Sequence, residues 1–599
     1  MFGDINIVII IELSNSLAFF ITLFEYLRNL NKIVLGCFIA ASMLAMPSCS
    51  DFLTENPKGK LTPENFFSNQ NELDMSVYAL YAKVQASQCN SNPMIVQCQG
   101  DDVTSTTGSN KGAYLSADAF ESPSDTKGLE GTWSRFYTII KAANLIIDNA
   151  GKAMTSQEEI NIALGQGYYW RAFAYFNLVR VFGPLPMNLH NLPDNNLTPL
   201  STVAEVYEQI VSDLNAAEAC NLPAKYTEAN RSIEGQNIYV SDQTVKATLA
   251  AVYMAMAGYP LNKTEYYANA ADKAKEVMDG VNKGTYDHSL LSEWKDVFSY
   301  GKNHHNETLL GIDYNSNFGG WQEWDSQLSS CHQSGKLWSG WGDFLAERRY
   351  WKNFPDGPRK DAVYSKQILL NNGVLVDWWA TTDGKPYNGT NAVFADYRPM
   401  FVAFTVNKDP VTGLPASAAF DYTKPIWGGM CINKRHQLIR YSEVLLWYAE
   451  SAARAGKDLS LAKSALKQVR ARACSDESFV AAVDAMSAEQ LAEAAYEEHG
   501  YEVAGYVLAM VTRRSDEFRM NRLKESYDYR SGSQDEVLVP AGTLTYSYDE
   551  ETKTTFTYAL QEDLKMEENM SVTVPWNGEA SIYHNYPPKE VEKNPNLKR

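Results

Sequence analysis

The chain has 599 residues, 45% apolar and 21% charged, globular values that exclude disorder as the main state and also exclude a polytopic membrane protein. Its 53 Lys and Arg against 72 Asp and Glu leave a net charge of -19, a field that repels nucleic acid and anionic polymers and suits neutral or cationic ligands. The eight cysteines show no C-x-x-C pair and no Cys/His ligand spacing, which speaks against a zinc site; Cys89 and Cys98 are placed either to bridge a loop or to remain buried thiols.

Two apolar stretches open the chain, at 5–24 and 33–49. Glu12 interrupts the first and Glu25 follows it, while the second is shorter than the roughly 20 residues of a membrane span. Arg28 and Lys32, an apolar run and then small residues before Cys49 make the layout of a secretory signal. The Ser48-Cys49 junction resembles a lipobox, where cleavage frees Cys49 to carry a diacylglyceryl anchor. Residues 1–48 therefore read as a signal region and 49–599 as the mature body. Because such leaders usually run to about 15–30 residues, we read 1–29 as preceding a misassigned start, with Leu30 as the initiator.

The body reads as mainly α, with apolar residues at i, i+3, i+4 and i+7. In 131–153 the stripe is Trp133, Phe136, Tyr137, Ile140, Ala143, Asn144 and Ile147, ended by Gly151. A second helix runs through 160–187 to Gly183-Pro184, and a third through 202–219 with Val206, Ile210 and Leu214 on one face. Paired helices return at 244–280 and at 434–473, each with alanines at packing positions and a Gly-containing turn. Helix, turn and helix with A-x-x-x-A/L spacing is the tetratricopeptide pattern, whose repeat is about 34 residues. Between the pairs, 85–130, 284–430 and 526–580 are rich in Gly, Asn, Ser, Thr and aromatics and lack helical period. Loops this long in a compact protein are usually functional.

Several blocks, in order, resemble the SusD/RagB family of outer-membrane nutrient-binding lipoproteins, from Cys49 to Arg599. These are CSDFLTENPKGKLTPENFF at 49–67, a W-x-x-x-Y-x-x-I-x-x-A-N helix at Trp133 to Asn144, and Arg171-Ala172-Phe173 leading to Gly183-Pro184-Leu185-Pro186. They continue with a DG-x-R turn at Asp356, Gly357 and Arg359, a helix at Ile439 to Glu450, and an ending at Pro587 to Leu597. One departure is EEHGYEVAGY at 497–506, where His499 and Tyr506 stand in place of charged residues, which puts the family's local ion pairing there, not the fold, in question. The resemblance implies a scaffold of four tetratricopeptide-like units with a loop-rich ligand-binding face, seated as a lid on a SusC-like TonB-dependent transporter. It also implies binding rather than catalysis, without cofactor, of oligo- or polysaccharide, or of peptide in one branch.

Sugars present flat C–H patches flanked by hydroxyls, which a protein holds with aromatic platforms and planar polar groups. Trp321, Trp324, Trp338 and Trp341 lie among glycines at 319–342 and are the expected platform, whereas Trp351 and Phe354, next to the DG-x-R turn, read as core. Asp101 and Asp102 in GDDVTSTTGSN are candidate acceptors for sugar hydroxyls, and Trp378 and Trp379 candidate cleft residues. The rival of another class is a secreted glycoside hydrolase, for which acid pairs such as Glu497/Glu498 would have to stand about 5–9.5 Å apart across a sugar. His304-His305 with Glu307 lacks the H-E-x-x-H spacing and reads as a surface loop.

Overall fold

The computed structural model describes residues 66–88, 92–105, 112–121, 127–191, 197–299, 302–314, 344–365, 367–369, 374–381, 399–401, 435–532, 536–549, 554–560, 562–565 and 574–598. The chain divides into Met1–Asn65 and Phe66–Arg599, and the first unit, with Cys49 and the leader, lies outside the described residues.

Helices begin where a side chain takes up the orphan N–H groups of a first turn. Asn69 does so for α1 (Gln70–Ser87). The predicted stripe lies on α2 (Lys127–Asn149), which runs into a 3-10 turn at Ala150–Lys152. Ser156 caps α3 (Gln157–Phe182), whose end at Gly183 has a φ of 70°, a conformation that favours glycine. Thr202 and Glu205 form a reciprocal capping box on α4 (Val203–Ala219). Then follow α5 (Asp242–Ala257) and α6 (Tyr266–Asn282), short α7 (Arg348–Asn353) and α8 (Pro358–Val363), and α9 (Tyr441–Arg454), α10 (Leu459–Ala473), α11 (Ala488–Val503) and α12 (Arg513–Arg519).

Each long helix packs on the next: α1 on α2, α2 on α3, then α4, α5 and α6 in turn, α6 on α9, and α9 on α10 and α11. Small residues permit the close approach. A Cβ on Gly167 of α3 would lie 3.1 Å from Ile147 Cγ1 of α2. Arg171 ties three helices together, with Nε and Nη2 donating to Asp213 Oδ2 and Oδ1 at 2.8 and 2.6 Å and Nη1 to Asn144 Oδ1 at 2.9 Å. The fold is mainly α, built of stacked helix hairpins.

Short strands fasten the loop segments to this stack: β1 (Val103–Thr104), β2 (Thr308–Ile312), β3 (Leu345–Ala346), β4 (Gln367–Leu369), β5 (Val374–Asp377), β6 (His436–Arg440), β7 (Leu544–Asp549) and β8 (Thr554–Ala559). β1 pairs with β3, and β2 with β6, His436 opposite Ile312 and Arg440 opposite Thr308. β8, β7, β5 and β4 form a four-stranded sheet in that order. Beneath these segments is a second core, which includes Trp294, Phe344, Tyr350, Phe354, Tyr364 and Phe401. Phe354 is thus core as expected, and Trp351 is half-buried against it. Cys98 is fully buried there as well, while Cys89 lies outside the described residues.

The ion pairing around 497–506, put in question by the departure there, is present. Arg359 donates to Glu498 Oε1 at 2.6 Å and to Glu502 Oε2 at 2.9 Å. Arg470 reaches Glu498 Oε2 at 2.7 Å, and Arg440 and Arg472 both reach Glu502 Oε1 at 2.7 Å. Neither glutamate side chain is exposed. Burial alone would raise the Glu502 pKa, but Arg472, Arg440 and Arg359 hold it well below the usual range. The two departures from the family pattern are themselves bonded: Tyr506 Oη accepts from Gln437 N at 2.8 Å, and His499 Nδ1 lies 2.5 Å from Asp516 Oδ2. Gly357 makes the DG-x-R turn possible, because a Cβ there, at φ 147°, would come within 2.7 Å of Ala473 O and Ser475 N.

The surface-loop reading of His304, His305 and Glu307 is corrected. Glu307 is fully buried and His305 8% exposed. Glu307 accepts from Leu291 N at 2.8 Å and from Arg472, and His304 Nε2 lies 2.7 Å from Asp313 Oδ1.

Candidate functional site

Trp321, Trp324, Trp338 and Trp341 lie outside the described residues. The described candidates fall into two groups, each placed by a strand.

The first group leaves the end of β5, where Asp377 leads into a 3-10 turn, Trp378–Thr381. Trp378 is fully enclosed, its ring standing edge-on to Trp351 at 5.0 Å and to Trp379 at 5.4 Å. Lys360 of α8 holds its ammonium 4.9 Å from the centre of the Trp351 ring, within range of a cation–π attraction. Trp379 is half-buried. Of the candidate tryptophans described, it alone keeps part of its ring available, and Trp351 and Trp378 set its orientation. The sequence singled out Trp378 and Trp379 but assigned Trp351 only a packing role.

The second group surrounds Asp101 and Asp102, just ahead of β1. Both acids are engaged by scaffold groups, Asp102 buried and Asp101 partly exposed. Arg513, at the start of α12, clamps Asp101 with Nε and Nη2 at 2.8 and 2.9 Å. Asp102 is 4% exposed; its Oδ2 accepts from Gly505 N at 2.7 Å and its carbonyl from Glu347 N at 3.0 Å. Burial first, and then the neighbouring Asp101 charge, push the Asp102 carboxyl up to about 7. Glu517, held by Asp101 N and Ser526 Oγ at 3.1 and 2.8 Å, is raised well above the usual range by the same two causes. Arg513 and Glu517 are the partners that sequence reasoning missed, since some 400 positions separate them from Asp101.

The acid pairs weighed for glycoside hydrolysis are likewise engaged. Glu498 is locked between Arg359 and Arg470, and Glu497 lies 3.4 Å from Arg513 and 3.5 Å from Arg522. Among the described residues no group of three or more His, Cys, Asp or Glu side chains is arranged to hold a metal ion, and no helix is long and apolar enough to cross a membrane.

The chain matches two family models, one described as "starch-binding associating with outer membrane" over residues 51–254 and one as "SusD family" over residues 340–599. It is 28% identical over 311 residues to SusD-like protein P2 of Formosa agariphila, covering 50% of this chain and 58% of that protein; the chain spans about half the length of the curated relatives it matches. Surface glycan-binding protein A from Bacteroides uniformis superimposes with a TM-score of 0.61 at 17% identity, over 88% of this chain and 99% of that one. A structure described as being with xylogluco-oligosaccharide gives 0.60 at 19%, over 88% and 98%. With its order of helices, its capped hairpins and its two family-model matches taken together, the chain belongs to the SusD/RagB family.

Proposed function

We propose that the protein is a lipid-anchored glycan-binding protein of the outer cell surface, which captures oligo- or polysaccharide and delivers it to a SusC-like TonB-dependent transporter. What supports the reading is family membership together with two structural neighbours, a surface glycan-binding protein and a structure with xylogluco-oligosaccharide. The loop face supplies suitable chemistry. Trp379 offers part of a ring held in place by Trp351 and Trp378, and Trp321, Trp324, Trp338 and Trp341 extend the aromatic content of the same loop-rich stretch. Rings of this size bind at low ordering cost. Catalysis has no part in the proposal, and Cys49 is the proposed lipidation site.

The test is affinity electrophoresis of the purified protein against a panel of polysaccharides and peptides, with an assay for released reducing ends. Retardation by a glycan without hydrolysis is expected. Release of reducing sugar moves the protein to the hydrolases, and retention by peptides alone moves it to the peptide-binding branch.

A further inference from the structure

The short helix α7 carries Trp351, the ring behind Trp378, and two positions earlier Arg349. The Arg349 guanidinium lies over the Tyr529 ring, its carbon 3.4 Å from the ring centre, the stacked arrangement that guanidinium planes adopt on aromatic faces. Tyr529 is 9% exposed and belongs to the helix Leu523–Ser531. The next residue fixes that helix: Arg530 gives Nη1 to Cys98 O at 2.5 Å and Nη2 to Gly100 O and Val103 O at 2.5 and 2.8 Å, and pairs with Asp118 Oδ1 at 3.0 Å. The platform under Arg349 is therefore firmly held.

The chain holds 72 acids, and Arg359, Arg440, Arg470 and Arg513 are each paired with a carboxylate. Arg349 is not: among the described residues its guanidinium has no hydrogen bond and no ion pair, only the ring beneath it. The acids beside it are already matched. Lys352, about one turn further along α7, holds Glu536, and Lys524 holds Asp528, the residue before Tyr529. Arg349 is half-buried, and none of its unpartnered nitrogens is enclosed, so its N–H donors can be reached from solvent.

A guanidinium that is stacked in one orientation, accessible and unpaired suits an oxyanion, which its planar fork takes through two parallel N–H bonds. We propose that Arg349 reads an anionic group on the glycan, a uronate carboxylate or a sulfate ester, and so makes acidic polysaccharide the preferred ligand class. The inference rests on the glycan-binding reading above. A net charge of -19 sets a long-range field against anions, so the selection is made by contact and not by steering. Stacking on Tyr529 orients the fork before the ligand arrives and lowers the ordering cost of binding.

The experiment is isothermal titration calorimetry on the full chain in detergent with two matched pairs, polygalacturonate oligosaccharide against its methyl ester and κ-carrageenan oligosaccharide against its desulfated form. The charged member of at least one pair is expected to bind about tenfold more tightly than its neutral counterpart, the scale of one charge-assisted hydrogen bond. Preference in the first pair names the carboxylate, and in the second the sulfate. Arg349→Gln is expected to remove the preference, whereas a purely structural role would weaken both members of a pair alike. Arg349→Lys keeps the charge without the planar fork and is expected to retain only part of the preference; it decides the matter if Arg349→Gln fails to fold. A preference that survives Arg349→Gln, or the absence of binding by both charged members, overturns the proposal. Retardation by neutral polysaccharides of the panel above then leaves the glycan-binding reading standing, and retardation by no polysaccharide overturns both.

Discussion

His499 is 1% exposed, with Nδ1 2.5 Å from Asp516 Oδ2 and Nε2 3.5 Å from Glu443 Oε2. Burial alone lowers its pKa, but Asp516 and then Glu443 outweigh burial and hold it at about 9, against about 6.5 in an unfolded chain. A folded-state pKa above the unfolded one gives stability that is fully present below pH 6.5 and is lost as the pH rises through 9. By linkage the group contributes about 2.5 kcal/mol at pH 7 and less than about 0.5 kcal/mol at pH 9, a fall of about 2 kcal/mol. Nε2 also lies 3.1 Å from Trp447 Nε1, and an indole N–H only donates. The two contacts at Nε2 are therefore alternatives: the charged ring gives its proton to Glu443, and the neutral ring accepts from Trp447. The assay is equilibrium urea unfolding of wild type and His499→Gln at pH 7, 8 and 9. Asp102, pushed up to about 7 by burial and then by Asp101, adds its own slope below that window. Wild type is expected to lose about 2 kcal/mol more than the variant between pH 7 and 9, and parallel losses would refute the reasoning.

Arg359→Met strips one guanidinium from Glu498 and Glu502; since Arg470, Arg440 and Arg472 remain, the loss should fall at the low end of about 3–5 kcal/mol, read as a urea midpoint shift. Gly258→Ala would put a Cβ 2.2 Å from the Arg519 carbonyl, which also accepts from Tyr259 N at 2.7 Å. A cost of about 1–3 kcal/mol and a lower melting temperature follow. Replacing both Trp338 and Trp341 by Ala should abolish glycan retardation while far-UV circular dichroism is unchanged, and a loss of helicity would return those rings to the core. Cys49→Ala should abolish incorporation of a fatty-acid label, and mass spectrometry of the mature amino terminus should begin at Cys49.

The helices were legible because their apolar period is long and uninterrupted: the stripe from Trp133 to Ile147 lies on α2, and Gly183 ends α3 with a positive φ. The stretch called loop at 284–430 hid β2, a run of five buried residues too short to show a period, whose partner β6 lies more than a hundred positions on. The Arg359 cluster was illegible for the same reason, since its partners stand 139 and 143 positions away and a sequence shows charges without their pairing. Asp101 and Asp102 looked like rim acceptors because a polar, Gly-flanked stretch is the usual sign of solvent, but Arg513 and Gly505 arrive from the far end of the chain to close over them. Trp351 was placed correctly against the core, and its second part, as the wall behind Trp378, needed the coordinates of β5.

The ribbon of β2 and β6 brings the two ends of a long excursion side by side, and Arg359 pins the excursion again partway along. Joining distant ends is a closure cost that grows only slowly with length, and among the described residues the ribbon and the ion cluster help to meet it. A long excursion held at its ends and again partway along is thus divided into shorter loops, each of which closes at less cost than the whole.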